Sequence, residues 1–116
     1  MHELGIVLQV AKTLDEVCEE QHIVKIGSVT LEIGEVSGVL HDYFIDCWDY
    51  FKVKHERLKE ATMTIETIQA LNFCEDCKRE YPAIPFGRVC PRCGSEHTYL
   101  LQGNEVNIKE ITAETE

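Results

Sequence analysis

Apolar residues Val7, Val10, Ala11, Leu14, Val17 and Cys18 recur at steps of three and four, with Lys12, Asp15, Glu16, Glu19 and Glu20 on the other side. That period predicts an amphipathic helix from about Gly5 to Gln21, with His22 at its C-terminal end, where the helix dipole favours an imidazolium. From Ile26 to Ile33 the pattern becomes alternation: Val29, Leu31 and Ile33 share one face, and Ser28, Thr30 and Glu32 the other, as in a half-buried strand. Gly34 and Gly38 bracket a loop. Leu40, Phe44, Cys47, Trp48 and Phe51 then mark the apolar face of a second helix from about His41 to Val53. Met63, Ile65 and Thr67 alternate with Thr62, Thr64 and Glu66 as a second strand, and Val106 to Ile111, after the turn signal Gly103-Asn104, reads as a third. Thr112 to Glu116 is expected to fray.

The order helix, strand, helix, strand, cysteine-containing segment, strand predicts an α+β fold, with two helices packed on a small mixed three-stranded sheet and a four-cysteine zinc-ribbon subdomain inserted into it. The expected division is an α+β domain of residues 1–69 plus 104–116, and a ribbon of residues 70–103. At 116 residues there is room for little else.

Composition narrows the function. With 44% hydrophobic and 28% charged residues the chain lies among globular proteins, and it has neither a membrane-length apolar run nor a signal-peptide pattern at Met1-His2-Glu3-Leu4. A cytoplasmic protein is expected. Eleven Lys and Arg against 21 Asp and Glu give a formal charge of -10, which repels phosphate backbones and anionic lipid, so neither nucleic acid nor a membrane is an expected partner. The sequence has no Gly-rich phosphate loop, no Ser or Cys nucleophile with an evident base and no carboxylate pair marked by spacing, so an enzyme is not expected either.

The cysteines carry the clearest chemistry. Cys74-x-x-Cys77 and Cys90-x-x-Cys93 are two tight knuckles, each aiming two thiolates at one point, and the stretch from Lys78 to Val89 can close as a hairpin and bring them together. Tyr81, Ile84, Phe86 and Val89 are the main apolar material of the segment, too little to hold roughly 30 residues without a metal cross-link. Structural Zn(II) is the expected ion; a rubredoxin-like iron centre is the alternative, since four sulfurs suit iron too. Redox pairs are a weaker reading, because neither C-x-x-C precedes a helix that would lower a thiol pKa. His97 is a candidate substitute ligand. Around the knuckles Lys78, Arg79, Arg88 and Arg92 are matched by Glu75, Asp76, Glu80 and Glu96, so the ribbon has no basic face for nucleic acid. Cys18 and Cys47 lie on apolar helix faces and read as core residues.

At the other end of the chain, bulky His2 predicts that Met1 is retained. The Met1 amine, the His2 amide nitrogen and the His2 imidazole can close adjacent chelate rings around one ion, a planar nitrogen set that suits Ni(II) or Cu(II). The Glu3 amide can complete the square, or its carboxylate can help with charge. Alone, this signal is weak.

Met1-His2-Glu3-Leu4 opening a helix, Ile33-Gly34-Glu35 ending a strand, the two C-x-x-C knuckles, and Gln102-Gly103-Asn104-Glu105 before the last strand together resemble the HypA/HybF nickel metallochaperones of nickel–iron hydrogenase maturation. The resemblance covers nearly the whole chain. It implies Ni(II), carried as cargo, at Met1, His2 and Glu3, with His2 as the essential side chain, and zinc at Cys74, Cys77, Cys90 and Cys93. It also implies delivery to the hydrogenase large subunit with a maturation GTPase, with urease as a second recipient, by a monomer or weak homodimer. Some members carry an acidic residue shortly after the strand-ending Gly-Glu. Here the matching position is Leu40, with His41 and Asp42 as offset candidates. A zinc-ribbon adaptor that binds only proteins, with His2 incidental, is the competing reading.

Overall fold

The computed structural model describes residues 3–115. The chain forms two compact units. One takes in the chain up to Glu32, Val39–Glu66 and the chain from Asn107; the other takes in Ile33–Gly38 and Thr67–Val106. The loop after the first strand thus groups with the cysteine segment.

In the first unit, α1 spans Glu3–Gln21 and buries Val7, Val10, Ala11, Leu14 and Cys18, five of the side chains its period marked. It ends where His22 takes a left-handed φ of 56°, the conformation that stops a helix. β1 follows at Ile23–Gly34, with Val29, Leu31 and Ile33 fully buried as alternation requires. α2 spans His41–Lys52 and inserts Phe44 and Trp48 completely into the core. Each fully buried side chain of this size is worth about 2 kcal/mol. The Trp48 indole N–H donates to the Ala61 carbonyl at 2.9 Å, so the bulkiest core residue leaves no polar atom unmet. Leu40, placed by periodicity on the apolar face of α2, is instead its N-cap and is 66% exposed.

β2 spans Thr62–Ile68 and β6 spans Val106–Thr115; with β1 they form a sheet in the order β2-β1-β6. Its mixed character follows from bonds made by the strands and by the segments that lead into and out of them. Ile26 N donates to Arg57 O and Glu35 N to Ile68 O, numbers that rise together, whereas Ser28 meets Thr112 and Gly34 N donates to Glu105 O, numbers that run oppositely. The tail expected to fray continues β6 to Thr115. Its polar pattern concealed this, because β1, which starts at Ile23, supplies the partner.

The second unit holds a separate sheet, β4-β3-β5, with β3 at Leu71–Cys74, β4 at Arg79–Pro82 and β5 at Thr98–Gln102, both neighbours antiparallel to β3. A single turn of helix, α3 at Ala83–Phe86, follows β4. Tyr81, Cys74 and Cys90 are the small core here, while Ile84, Phe86 and Val89, expected to add to it, are 58%, 48% and 46% exposed. Asn72 and Tyr81 both donate to the Gly87 carbonyl at 2.8 Å, a polar pin across the hairpin.

Gly34 and Gly103 meet in this unit. A Cβ on Gly34 would lie 2.0 Å from the Gly103 carbonyl oxygen, so only glycine permits the crossing. The two sequence stretches Ile33-Gly34-Glu35 and Gln102-Gly103-Asn104-Glu105 are the two halves of this one contact. Gly34 N donates to Glu105 O and Val36 N to Gly103 O, both at 2.8 Å. The Glu35 carboxylate accepts from Ala70 N at 2.9 Å, and the Glu105 carboxylate from Gly103 N at 2.6 Å.

Candidate metal centre

The four ribbon cysteines converge. Cys74 ends β3, and Lys78 N turns back to donate to the Cys74 carbonyl at 2.9 Å with Lys78 at φ 59°. The second knuckle repeats the device: Gly94 N donates to the Cys90 carbonyl at 2.9 Å, with Gly94 at φ 72°. Each C-x-x-C is therefore closed by a left-handed residue immediately after its second cysteine. Glycine adopts that conformation freely, whereas for lysine it costs about 1 kcal/mol. Glu75 N donates to the His97 carbonyl and Cys90 N to the Ser95 carbonyl, each at 2.9 Å, which fastens both knuckles to the stretch leading into β5.

All four Sγ atoms lie within 4.8 Å of one another, Cys74 to Cys93 at 3.6 Å and Cys77 to Cys90 at 3.7 Å. A tetrahedral zinc thiolate with Zn–S bonds of about 2.3 Å has S···S edges of about 3.8 Å, so the donor set fits such an ion. The electrostatics agree. Backbone N–H groups of Cys93 and Arg92 hold the Cys90 thiol down to about 7, while burial, followed by the neighbouring sulfurs, pushes Cys77 up to about 12. Four thiolates this close repel one another, and a divalent cation lets all four ionise.

A tie between the knuckles was not legible in the sequence. The Asp76 carboxylate, inside the first knuckle, accepts from the Ser95 hydroxyl and faces His97 Nδ1 at 3.0 Å, while His97 N donates to Ser95 Oγ at 2.9 Å. These hydrogen bonds hold the Asp76 carboxyl below its usual range, Ser95 contributing most. The only hint lay in an acidic residue between two cysteines. His97 does not join the sulfur cluster; among the described residues that cluster consists of the four cysteines alone.

Of the residues expected at the nickel site, Met1 and His2 lie outside the described residues. Glu3 is the first residue of α1 and is buried, 4% exposed, and its Oε2 accepts a hydrogen bond from Leu40 N at 3.1 Å. His41 and Asp42 occupy the first turn of α2, His41 half-buried and Asp42 exposed. Cys18 is buried and Cys47 half-buried on their helices.

A model of the family described as "Hydrogenase/urease nickel incorporation, metallochaperone, hypA" matches residues 1–113. The chain belongs to this HypA family. Its curated relatives include a hydrogenase maturation factor HypA from Geotalea uraniireducens, 34% identical over 98% of this chain and 100% of the relative. Another, from Rippkaea orientalis, is 36% identical over 98% of this chain and 96% of the relative. Among solved structures, the solution structure of the nickel metallochaperone HypA from Helicobacter pylori superposes with a TM-score of 0.78 at 26% identity, covering 100% of both chains. The family is one of metallochaperones and maturation factors, not enzymes, and it acts in nickel incorporation during hydrogenase maturation. Among the described residues no helix is long and apolar enough to cross a membrane.

Proposed function

We propose that this protein carries Ni(II) at its N-terminus, through the Met1 amine, the His2 amide and imidazole, and the Glu3 backbone amide. It then hands the ion to the hydrogenase large subunit in concert with a maturation GTPase, in the cytoplasm. The match that begins at residue 1 carries this reading, because it takes the Met1-His2-Glu3 opening into the nickel-incorporation family. A nitrogen set containing an amine and an amide favours planar Ni(II), and only an imidazole at position 2 closes the adjacent chelate ring. Few preformed ligands make a site that releases its cargo as readily as it takes it up.

In the same proposal Cys74, Cys77, Cys90 and Cys93 hold a structural Zn(II). Zinc supplies the cross-link for a ribbon whose buried core is little more than Tyr81 and the cysteines themselves. Four thiolates leave that ion no open position, so cargo and cross-link remain separate.

The test is calorimetry with Ni(II) on three proteins. His2→Ala, and an N-terminal extension of one or two residues, each abolish tight nickel binding, while a C-terminal extension changes nothing. Unchanged nickel affinity in the N-terminally extended protein would place the ion elsewhere, with His41 and His97 the next places to look.

A further inference from the structure

Glu3 is one of two buried polar side chains among the described residues, and a buried carboxylate needs a reason. It belongs to α1, yet its Oε2 accepts from the backbone N–H of Leu40, the residue that begins α2. Leu40 brings no capping side chain of its own. The first N–H groups of a helix have no intrahelical partner, and the helix dipole places partial positive charge at that end. A carboxylate from another helix satisfies both needs. The bond joins residues far apart in sequence, and Leu40, whose own side chain is largely exposed, contributes only its backbone.

We infer that the Glu3 carboxylate is a latch, a positioning group that fixes residue 3 against the start of α2, and not a metal ligand. This rests on the proposed N-terminal nickel site and assigns its parts. Residue 3 would give nickel its backbone nitrogen, while its side chain, engaged at Leu40, holds that nitrogen in place. The site is then built of nitrogen donors, without a carboxylate, and the residue-3 nitrogen is already in place before the ion binds.

Glu3→Gln and Glu3→Ala separate the roles. Glutamine keeps a carbonyl oxygen able to accept from Leu40 but cannot serve as an anionic ligand; alanine loses both. Two readouts are taken: hydrogen exchange at the Leu40 amide without nickel, and Ni(II) affinity by calorimetry, with the visible spectrum of the bound ion. The expected result is that Glu3→Gln keeps nickel affinity and Leu40 protection within about threefold and leaves the spectrum unchanged. Glu3→Ala should lose about tenfold in both, the scale of one charge-assisted hydrogen bond. Two results would overturn the latch: loss of nickel in Glu3→Gln with Leu40 still protected, which makes the carboxylate a ligand, or unchanged Leu40 exchange in Glu3→Ala. His2→Ala, run alongside, tests the underlying site; nickel retained there refutes the N-terminal reading itself, whereas the Leu40 comparison judges the hydrogen bond independently.

Discussion

Replacing Gly34 with alanine should be among the most damaging single-methyl changes in this protein. The added Cβ would stand 2.0 Å from the Gly103 carbonyl oxygen, 2.1 Å from its carbon and 2.5 Å from Asn104 N, all backbone atoms that no rotamer change can move. Reaching an ordinary contact of about 3.4 Å means parting the two strands by more than about 1 Å. The bonds flanking the crossing, Gly34 N to Glu105 O and Val36 N to Gly103 O, are both 2.8 Å long and would stretch past hydrogen-bonding range. Two lost bonds cost about 2 kcal/mol together. Overpacking adds about 1–3 kcal/mol. The sum, about 3–5 kcal/mol, is a large share of the stability of a domain this size. At roughly 4 °C per kcal/mol, it lowers Tm by about 12–20 °C. The control lies on the same strand. A Cβ on Gly27 meets the Thr112 hydroxyl at 3.2 Å, a side chain that can give way, and the Thr112 carbonyl oxygen at an ordinary 3.9 Å, so Gly27→Ala should cost less than about 1 kcal/mol. Thermal melts of both zinc-loaded variants by circular dichroism decide the matter. If Gly34→Ala melts no lower than Gly27→Ala, close approach is not what position 34 requires.

Replacing any one of Cys74, Cys77, Cys90 or Cys93 with alanine should release zinc and unfold the ribbon while α1 and α2 stay folded; full zinc occupancy in all four variants, by elemental analysis, contradicts this. Lys78→Gly should stabilise the zinc-loaded protein by up to about 1 kcal/mol in a denaturant titration, since glycine relieves the left-handed backbone that closes the first knuckle. Both metals should bind more weakly as pH falls, because thiols, amine, imidazole and the coordinating amide nitrogens must all lose protons to bind. For nickel the loss is steepest below about 8, where the α-amine and then the imidazole regain their protons as well, and for zinc it continues below about 7, where even Cys90 regains its proton; metal affinities measured across pH 5–9 check both, and a flat profile refutes them.

Much of this fold was legible because its helices and first strand announce themselves by period. Val7, Val10, Ala11, Leu14 and Cys18 of α1, Phe44 and Trp48 of α2, and the Val29, Leu31, Ile33 face became core as alternation and three-to-four spacing demand. The knuckles were legible because metal geometry fixes spacing. What escaped depends on partners distant in sequence. Thr112 to Thr115 carry no hydrophobic period and are strand only because β1 lies beside them. Glu3 read only as a candidate nickel donor ahead of the first helix, and its burial against Leu40 N–H was not foreseen. Gly34 and Gly103 looked like turn residues, and only the folded chain shows that Gly34 makes room for Gly103 and Gly103 for Ala70. Asp76 has its meaning through Ser95 and His97, on the far side of the ribbon hairpin.

By the proposed function, one chain holds two metals in two unlike sites, a structural ion among four thiolates and a transferable one at the amino terminus. Native mass spectrometry of the protein with an unblocked Met1, loaded with zinc and nickel and then challenged with a chelator, tests it most directly. One zinc that survives the challenge and one nickel that is stripped are expected, and in a protein extended by two residues before Met1 the same zinc with no nickel. A nickel ion that persists in the extended protein, or that disappears only when the cysteines are replaced, would contradict it.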